Sequence, residues 1–346
     1  MVTARIHLDE ALPAAEALAR GQSLLGSVGE QEPVLLYGAV LDGAAVALGA
    51  YQHAPQALRA EAFDALALPV LRRRTGGTAV WAAQGLLYFA LGLADASTLM
   101  ACPPGRILNR NVRGLLAGLR ALGVPANYFG RDFVALGKAP GAYLGWDEAS
   151  DGRVLLEAFV AFDTAFTPAM ELSGYPTPEA PPLRGRQPTT LRAAGVAIAP
   201  AQALATIADG YVSAFHLEPV QRAPDASEQR RSSELRATLG VDLRDDGGLR
   251  WSQPREEAIG FVSAGVRLDA RGCVSASRLA GDFYQHRACP AQLEARLLGA
   301  QPSLEAVGAA LDAVYGARPG LIEGVRSLDT LRAAILDAVE VARTAS

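Results

Sequence analysis

From residue 34 to residue 162 the chain alternates short apolar runs with glycine-bearing turns, and that rhythm limits the fold more than any other feature. The runs lie at 34–41, 44–50, 65–72, 80–81, 86–91, 126–129, 133–136, 140–144 and 154–162. Runs this short, bounded by glycine, read as buried strands rather than helices. Asp42-Gly43 between the first two has the composition of a tight turn, so 34–41 and 44–50 are expected to pair as a hairpin. Helical spacing appears at 10–25, 105–122 and 198–215. It is clearest in the second, where Ile107, Leu108, Val112, Leu115, Leu116, Leu119 and Leu122 form one stripe and Arg106, Arg110, Arg113 and Arg120 lie outside it.

Past a Pro-rich loop at 176–188, residues 218–233 are polar, carry two prolines and show no hydrophobic period, which reads as a linker. Beyond them, 258–268 and 273–279 form a hairpin around 269–272, followed by helical patterns at 291–298, 303–315 and 327–342. No internal repeat is visible. The expectation is two α+β domains, 1–217 and 234–346, joined by 218–233.

Composition excludes several functions. The 346 residues carry a net charge of −4, and a single lysine, Lys138, stands among 32 basic residues. A slightly acidic chain without a lysine-rich stripe is a poor nucleic-acid binder. Cys102, Cys273 and Cys289 are too few and too scattered for a disulfide framework or a zinc pattern, and His7, His53, His216 and His286 form no HxH or HExxH motif. Residues 79–102 are largely apolar, but Gln84, Asp95, Ser97 and Thr98 interrupt them, so no membrane span is expected. The N-terminus lacks the apolar core of a signal peptide. These features together suggest a cytoplasmic protein.

Two polar segments could carry chemistry. Arg72-Arg73-Arg74-Thr75-Gly76-Gly77-Thr78 ends an apolar strand. Its glycines allow close backbone approach and its arginines offer bidentate donors, which suits a phosphate or carboxylate. It is neither a Walker loop nor a GxGxxG turn, and a strand-ending turn with a solvated basic cluster fits the same residues. In the second segment, Gly130-Arg131-Asp132 precedes Gly137-Lys138-Ala139-Pro140-Gly141-Ala142. An ammonium is a compact charge that can bridge two oxygens where a guanidinium fork cannot. With arginine used almost everywhere else, as a GC-rich coding bias would produce, the retained lysine is notable.

In this order the segments resemble the lipoate–protein ligases of the biotin/lipoate/octanoyl transferase fold. Residues 72–81 occupy the frame of RRxSGGGAVxHDxGNLN, and 130–142 that of GRNDxxxxGKKxSGxA. Thr190-Leu191, with Leu183-Arg184-Gly185-Arg186 before it, is similar to the family's VxSRxTNL segment. Gly281-Asp282-Phe283-Tyr284 is similar to the GDFF that ends a hairpin of its C-terminal accessory domain. The resemblance implies an α+β fold: a biotin/lipoate ligase-like catalytic domain with mixed sheets flanked by helices, plus a small α+β accessory domain.

It also implies an ATP- and Mg²⁺-dependent enzyme, acting as a monomer. Such an enzyme converts lipoate or a related carboxylic acid into an acyl-adenylate and passes the acyl group to a lysine of a lipoyl domain or H-protein-like acceptor. By position, Arg73 would hold ATP phosphates and Thr78, Ala79, Val80 and Trp81 would line the nucleotide. Lys138 would touch both acyl carbonyl and α-phosphate, Gly76 and Gly77 would border the acyl group, and Asp132 would contact Mg²⁺. Val80 and Leu136 could pack on the acyl chain, though for either one a place in the ordinary core is the stronger expectation.

The sequence departs from the pattern at Ala82-Ala83 (His-Asp in the family), at Gly85-Leu86-Leu87-Tyr88 (Gly-Asn-Leu-Asn), at Pro140 (Ser) and at Leu155-Leu156-Glu157-Ala158 (HHGT). These changes leave the acyl substrate open. They motivate two further readings, a catalytically degenerate binding or scaffold protein and an adenylating ligase with a small-molecule amine acceptor. No cysteine lies between Lys138 and Cys273, so a thioester route lacks its nucleophile there.

Overall fold

The computed structural model describes residues 2–103, 105–166, 172–179, 187–316 and 320–345. The strands are β1 (Thr3–Pro13), β2 (Val34–Asp42), β3 (Ala45–Leu48), β4 (Val70–Arg72), β5 (Val80–Ala82), β6 (Leu87–Leu93), β7 (Ala126–Tyr128), β8 (Phe133–Leu136), β9 (Ala139–Glu148), β10 (Val154–Val160), β11 (Glu218–Gln221), β12 (Arg250–Trp251), β13 (Arg255–Glu256), β14 (Phe261–Leu268), β15 (Val274–Gly281), β16 (Tyr284–Gln285) and β17 (Ile322–Glu323). The helices are α1 (Ala14–Ser23), α2 (Ala54–Ala57), α3 (Ala60–Leu66), α4 (Ile107–Asn111), α5 (Arg113–Ala121), α6 (Pro200–Phe215), α7 (Ala226–Thr238), α8 (Cys289–Leu297), α9 (Leu304–Tyr315) and α10 (Leu328–Thr344).

An eight-stranded mixed sheet, ordered β11-β1-β2-β6-β10-β9-β8-β7, forms the centre of the molecule. Strands β6 and β10 are buried at every position, which is why they read as continuous apolar runs rather than alternating ones. Leu87, Phe89, Leu91 and Leu93 face the core under α4, α5 and α6, while Tyr88 and Ala90 face the opposite core with Leu18 of α1. Helices α5 and α6 approach so closely that a Cβ on Gly118 would lie 2.4 Å from the Ile207 Cα. A three-stranded sheet, β4-β3-β5, lies beside this sheet, and the C-terminal residues build a sheet of β12, β13, β14 and β15 with α10 packed on it. No helix among the described residues is long and apolar enough to cross a membrane. All three cysteines are free thiols.

Several expectations are corrected. Strands 34–41 and 44–50 exist but do not form a hairpin. Both edges of β2 are taken, by β1 in parallel and β6 antiparallel, so β3 leaves for the small sheet, where it pairs with β4 and β5. The run at 65–72 is a strand only from Val70, because residues up to Leu66 complete α3. The helix expected from residue 10 starts at Ala14: Pro13 (φ −56°, ψ 143°) ends strand β1 and disfavours helical backbone at the residue before it. The 105–122 helix is interrupted at Val112.

The stretch 218–233 does not behave as a linker. Residues Glu218–Gln221 pair in parallel with Thr3–Ile6 and close the edge of the main sheet. Asp225 then caps α7: its carboxylate accepts from the Ser227 and Glu228 backbone N–H groups at 2.8 and 3.0 Å, and Glu228 reaches back to the Asp225 N–H at 2.9 Å. This Asp-x-x-Glu capping box was the available sequence signal.

Candidate functional site between the glycine loop and the C-terminal segment

The loop 73–79 runs from β4 to β5 and is tied down on every side. Its backbone meets β3 through the Arg73 N–H to Leu48 carbonyl (2.9 Å) and the Ala50 N–H to Thr75 carbonyl (2.9 Å) bonds. The Gly76 N–H donates to the Trp146 carbonyl of β9 (3.2 Å), and the Gly77 N–H to the Phe283 carbonyl of the C-terminal segment (3.1 Å). At Gly77 (φ 100°) a Cβ would stand 2.9 Å from the Tyr284 ring, and at Gly76 one would stand 2.4 Å from the Phe283 carbonyl oxygen. The glycines therefore serve close packing between loop and C-terminal segment.

The three arginines are all engaged within the protein. Arg72 donates through Nη1 to the carbonyls of Gly49 (3.0 Å) and Gln52 (2.8 Å). Arg73, 1% exposed, gives Nε to Thr75 Oγ1 (3.0 Å), Nη1 to the Ala47 carbonyl (3.2 Å) and Nη2 to the Gly76 carbonyl (2.8 Å). Arg74 Nε bonds the fully buried Asp147 at 2.7 Å, and the same carboxylate oxygen takes Arg287 Nη2 at 3.0 Å. Beneath Arg73, Glu157 accepts from Tyr88 Oη at 2.5 Å and from Thr75 Oγ1. Burial pushes the Glu157 carboxyl up from its ordinary range, against Arg73 and its two hydroxyl donors. The loop is thus neither an open phosphate cradle nor a solvated basic turn but a buried polar network. Arg73 does not present a donor to a triphosphate in this arrangement.

The two sequence segments meet at one point: Thr78 Oγ1 donates to Asp132 Oδ2 at 3.1 Å. Asp132 is fully buried, whereas Mg²⁺ keeps several waters, so its placement does not support the expected magnesium contact. Among the described residues, no three His, Cys, Asp or Glu side chains converge as a metal site. Lys138 is exposed on the β8–β9 turn after Gly137 (φ 63°) and makes no hydrogen bond or ion pair with a described residue. Gly145, on which Thr75 and Gly76 pack, is seven residues further along, roughly 20 Å at ~3.3 Å per strand residue. Lys138 is therefore not brought beside Gly76 and Gly77. Val80 and Leu136 are buried in core clusters, and Trp81 is half-buried against the cluster containing Val46 and Leu48. The residues 183–186 lie outside the described residues.

A cavity of about 160 Å³ does open beside the loop, lined by Thr78 and Ala79, by Tyr143 of β9, and by Gln52, Phe261 and Asp282. Asp282 is its polar anchor. Its Oδ1 accepts from Gln52 Nε2 at 2.5 Å and its Oδ2 from the Phe261 N–H at 2.9 Å, while burial raises its pKa to about 7 against those two bonds. Tyr175 stacks on Phe261 at 5.0 Å and Tyr143 meets Phe166 edge-on at 4.8 Å, giving the cavity aromatic walls. Of these residues the sequence pointed only to Thr78 and Ala79. Asp282 stood inside the quoted Gly-Asp-Phe-Tyr segment, and Tyr143 follows directly on Gly141-Ala142, so position in a motif was the signal available for both.

No family model matches the chain, and no curated protein matches it in sequence. Solved structures do. P. falciparum LipL1, crystallised in complex with lipoate, superposes with a TM-score of 0.72 at 12% identity, covering 96% of this chain and 99% of that one. A lipoate–protein ligase A bound with ATP gives 0.56 at 16% identity, covering 69% and 95%. A bi-partite lipoate protein ligase from Thermoplasma acidophilum, solved in a study that includes its E2 lipoyl domain, gives 0.57 at 16% identity, covering 71% and 95%. The likeness establishes the lipoate–protein ligase fold, and with LipL1 it runs through the C-terminal residues as well.

Proposed function

We propose that the chain is a lipoate ligase-like enzyme that activates lipoate or a related carboxylic acid with ATP. It then transfers the acyl group to a lysine of a lipoyl-domain or H-protein-like acceptor, and it works as a monomer in the cytoplasm. The observation that carries this reading is the fold's extent: likeness to lipoate-bound LipL1 covers 96% of the chain, including the segment packed on the glycine loop. Chemically, a carboxylate resists attack by an amine until adenylation supplies a leaving group, and an amphipathic acid suits the cavity's aromatic walls and single polar anchor.

In this reading the chain's own residues bind and orient. Thr78 and Ala79 border the acid, and Asp282, as the protonated carboxyl that its burial favours, donates to the polar end while Phe261 and Tyr175 exclude water. Lys138, far from the loop as placed, reaches the reacting carboxyl only if the β8–β9 turn closes over it. The nucleotide requires the contacts of Gly77 with Phe283 and Tyr284 to open, since the loop's arginines are otherwise committed.

A second reading, a ligase fold kept for binding alone, is favoured by one specific observation. Glu157 holds the Arg73–Thr75 network where the related sequences have HHGT. Incubation of the protein with ATP and a panel of medium-chain acids separates the two. The ligase reading expects pyrophosphate release with at least one acid, reduced ~10²-fold or more in Lys138→Arg, the scale of losing one oxyanion donor. No release with any acid, together with calorimetric binding of an acyl-adenylate analogue, establishes the binding reading. An adenylate that acylates only small amines identifies the third possibility.

A further inference from the structure

A partly enclosed polar cavity lies at the far edge of the main sheet, in the part of the chain that read as a linker. Its floor is the face of β1 and β2 that carries Arg5 and Leu35, and α1 and α7 form its walls. Its volume is about 280 Å³, close to the lower end of small-molecule pockets and room for roughly nine water-sized groups at ~30 Å³ each.

The acidic groups here are already answered. Glu228 accepts from Arg5 Nη2 at 2.5 Å and from the Asp225 N–H at 2.9 Å, and Glu16 accepts from Arg20 (3.1 Å) and Arg236 (2.8 Å). Two donors are not. Arg5 Nη1 has no hydrogen-bond partner although its side chain is 7% exposed; the nearest carboxylate, Glu32 at 3.5 Å, is held by Arg222 at 2.8 Å. Ser232 Oγ, on a residue 4% exposed, also has none. Both residues line the cavity. Buried donors without acceptors are costly, about 1–3 kcal/mol each and more when charged, so the space is built for an occupant that brings acceptors.

We propose that this cavity binds a small organic carboxylate. The carboxylate accepts from Arg5 Nη1 and from the Ser232 hydroxyl, and a short apolar body lies against Leu24 and Leu35. A carboxylate carries two acceptor oxygens, one for each of these donors. The site is separate from the cavity beside the glycine loop, sharing no lining residue with it, so the proposal stands apart from the ligase reading.

Calorimetry on the full chain tests it, with sodium hexanoate as probe and 1-hexanol and inorganic phosphate as controls. Hexanoate is expected to bind at about millimolar or tighter, with ~10-fold or greater weakening in Ser232→Leu, which fills the space, and in Arg5→Lys, which removes Nη1. Amide exchange across 226–238 is expected to slow in the wild-type protein on hexanoate addition, a readout independent of how the variants fold. Thr78→Leu, which narrows the cavity beside the glycine loop, should leave the hexanoate-induced exchange protection of 226–238 unchanged. The proposal is overturned by absence of saturable heat, by equal affinity in Ser232→Leu, by exchange protection confined elsewhere, by loss of the 226–238 protection in Thr78→Leu, or by phosphate or hexanol binding as tightly as hexanoate.

Discussion

A guanidinium that is 1% exposed must satisfy its donors inside the protein, and Arg73 does so on Thr75, Ala47 and Gly76, with Phe159 at 5.5 Å beneath its charge. Its removal leaves two carbonyls and the Glu157 network without a cationic partner. Arg73→Met should therefore lower unfolding stability by about 3–5 kcal/mol, measured by denaturant titration. A variant of wild-type stability that merely binds ATP less well would show that the arginine serves the nucleotide instead. At this scale the sequence was informative about which residues matter and less about how. Arg73 and the Gly76-Gly77 pair were picked out by their motif, but a motif does not reveal whether an arginine's partners are a ligand's oxygens or the loop's own carbonyls. The deciding partner, Glu157, sits 84 residues downstream on β10 and was visible only as a departure from HHGT.

Among the elements, the glycine loop is held between β3, β9 and the 281–287 segment. Gly77→Ala combines an unfavourable backbone angle with a Cβ pressed against Tyr284 and Arg73 Nη2. It should cost about 2 kcal/mol or more, and the cost should appear first as faster limited proteolysis of the C-terminal residues. Unchanged proteolysis and melting would mean that the loop and the segment do not support one another. Strands buried on both faces, such as β6 and β10, were legible because nothing polar interrupts them. Strand pairing was not. The Asp42-Gly43 turn predicts a hairpin locally, but the choice between β3 and β6 as the neighbour of β2 is made by residues more than 40 positions away. Likewise β11 and α7 lack a hydrophobic period because they cover the sheet's edge with charged side chains, and only the capping box betrayed the helix.

For the whole molecule, the contact between the two sheet systems depends on Asp282. Its folded pKa of about 7 lies above an unfolded value near 3.8, so the folded state binds the extra proton between those values. Stability contributed by Asp282 is then highest near pH 4, falls as pH rises towards 7 and is constant above. Relative to Asp282→Asn, the wild type should lose on the order of 4 kcal/mol across that window. A difference independent of pH would show that the carboxyl is not buried in the folded state. Most elements of the C-terminal region were readable from the sequence, as was the resemblance to the lipoate–protein ligase fold. The cavity beside the glycine loop was not, because its walls come from six separated stretches that only the fold brings together.

The activity proposed for this fold is ligase chemistry. Its most direct test is the intact mass of an apo lipoyl domain after incubation with the protein, lipoate, ATP and Mg²⁺. Ligase activity should give an acceptor heavier by one lipoyl group, with pyrophosphate released in step and both signals strongly reduced in Lys138→Arg. An acceptor of unchanged mass with lipoate and with every other medium-chain acid tried, and no pyrophosphate, would contradict it.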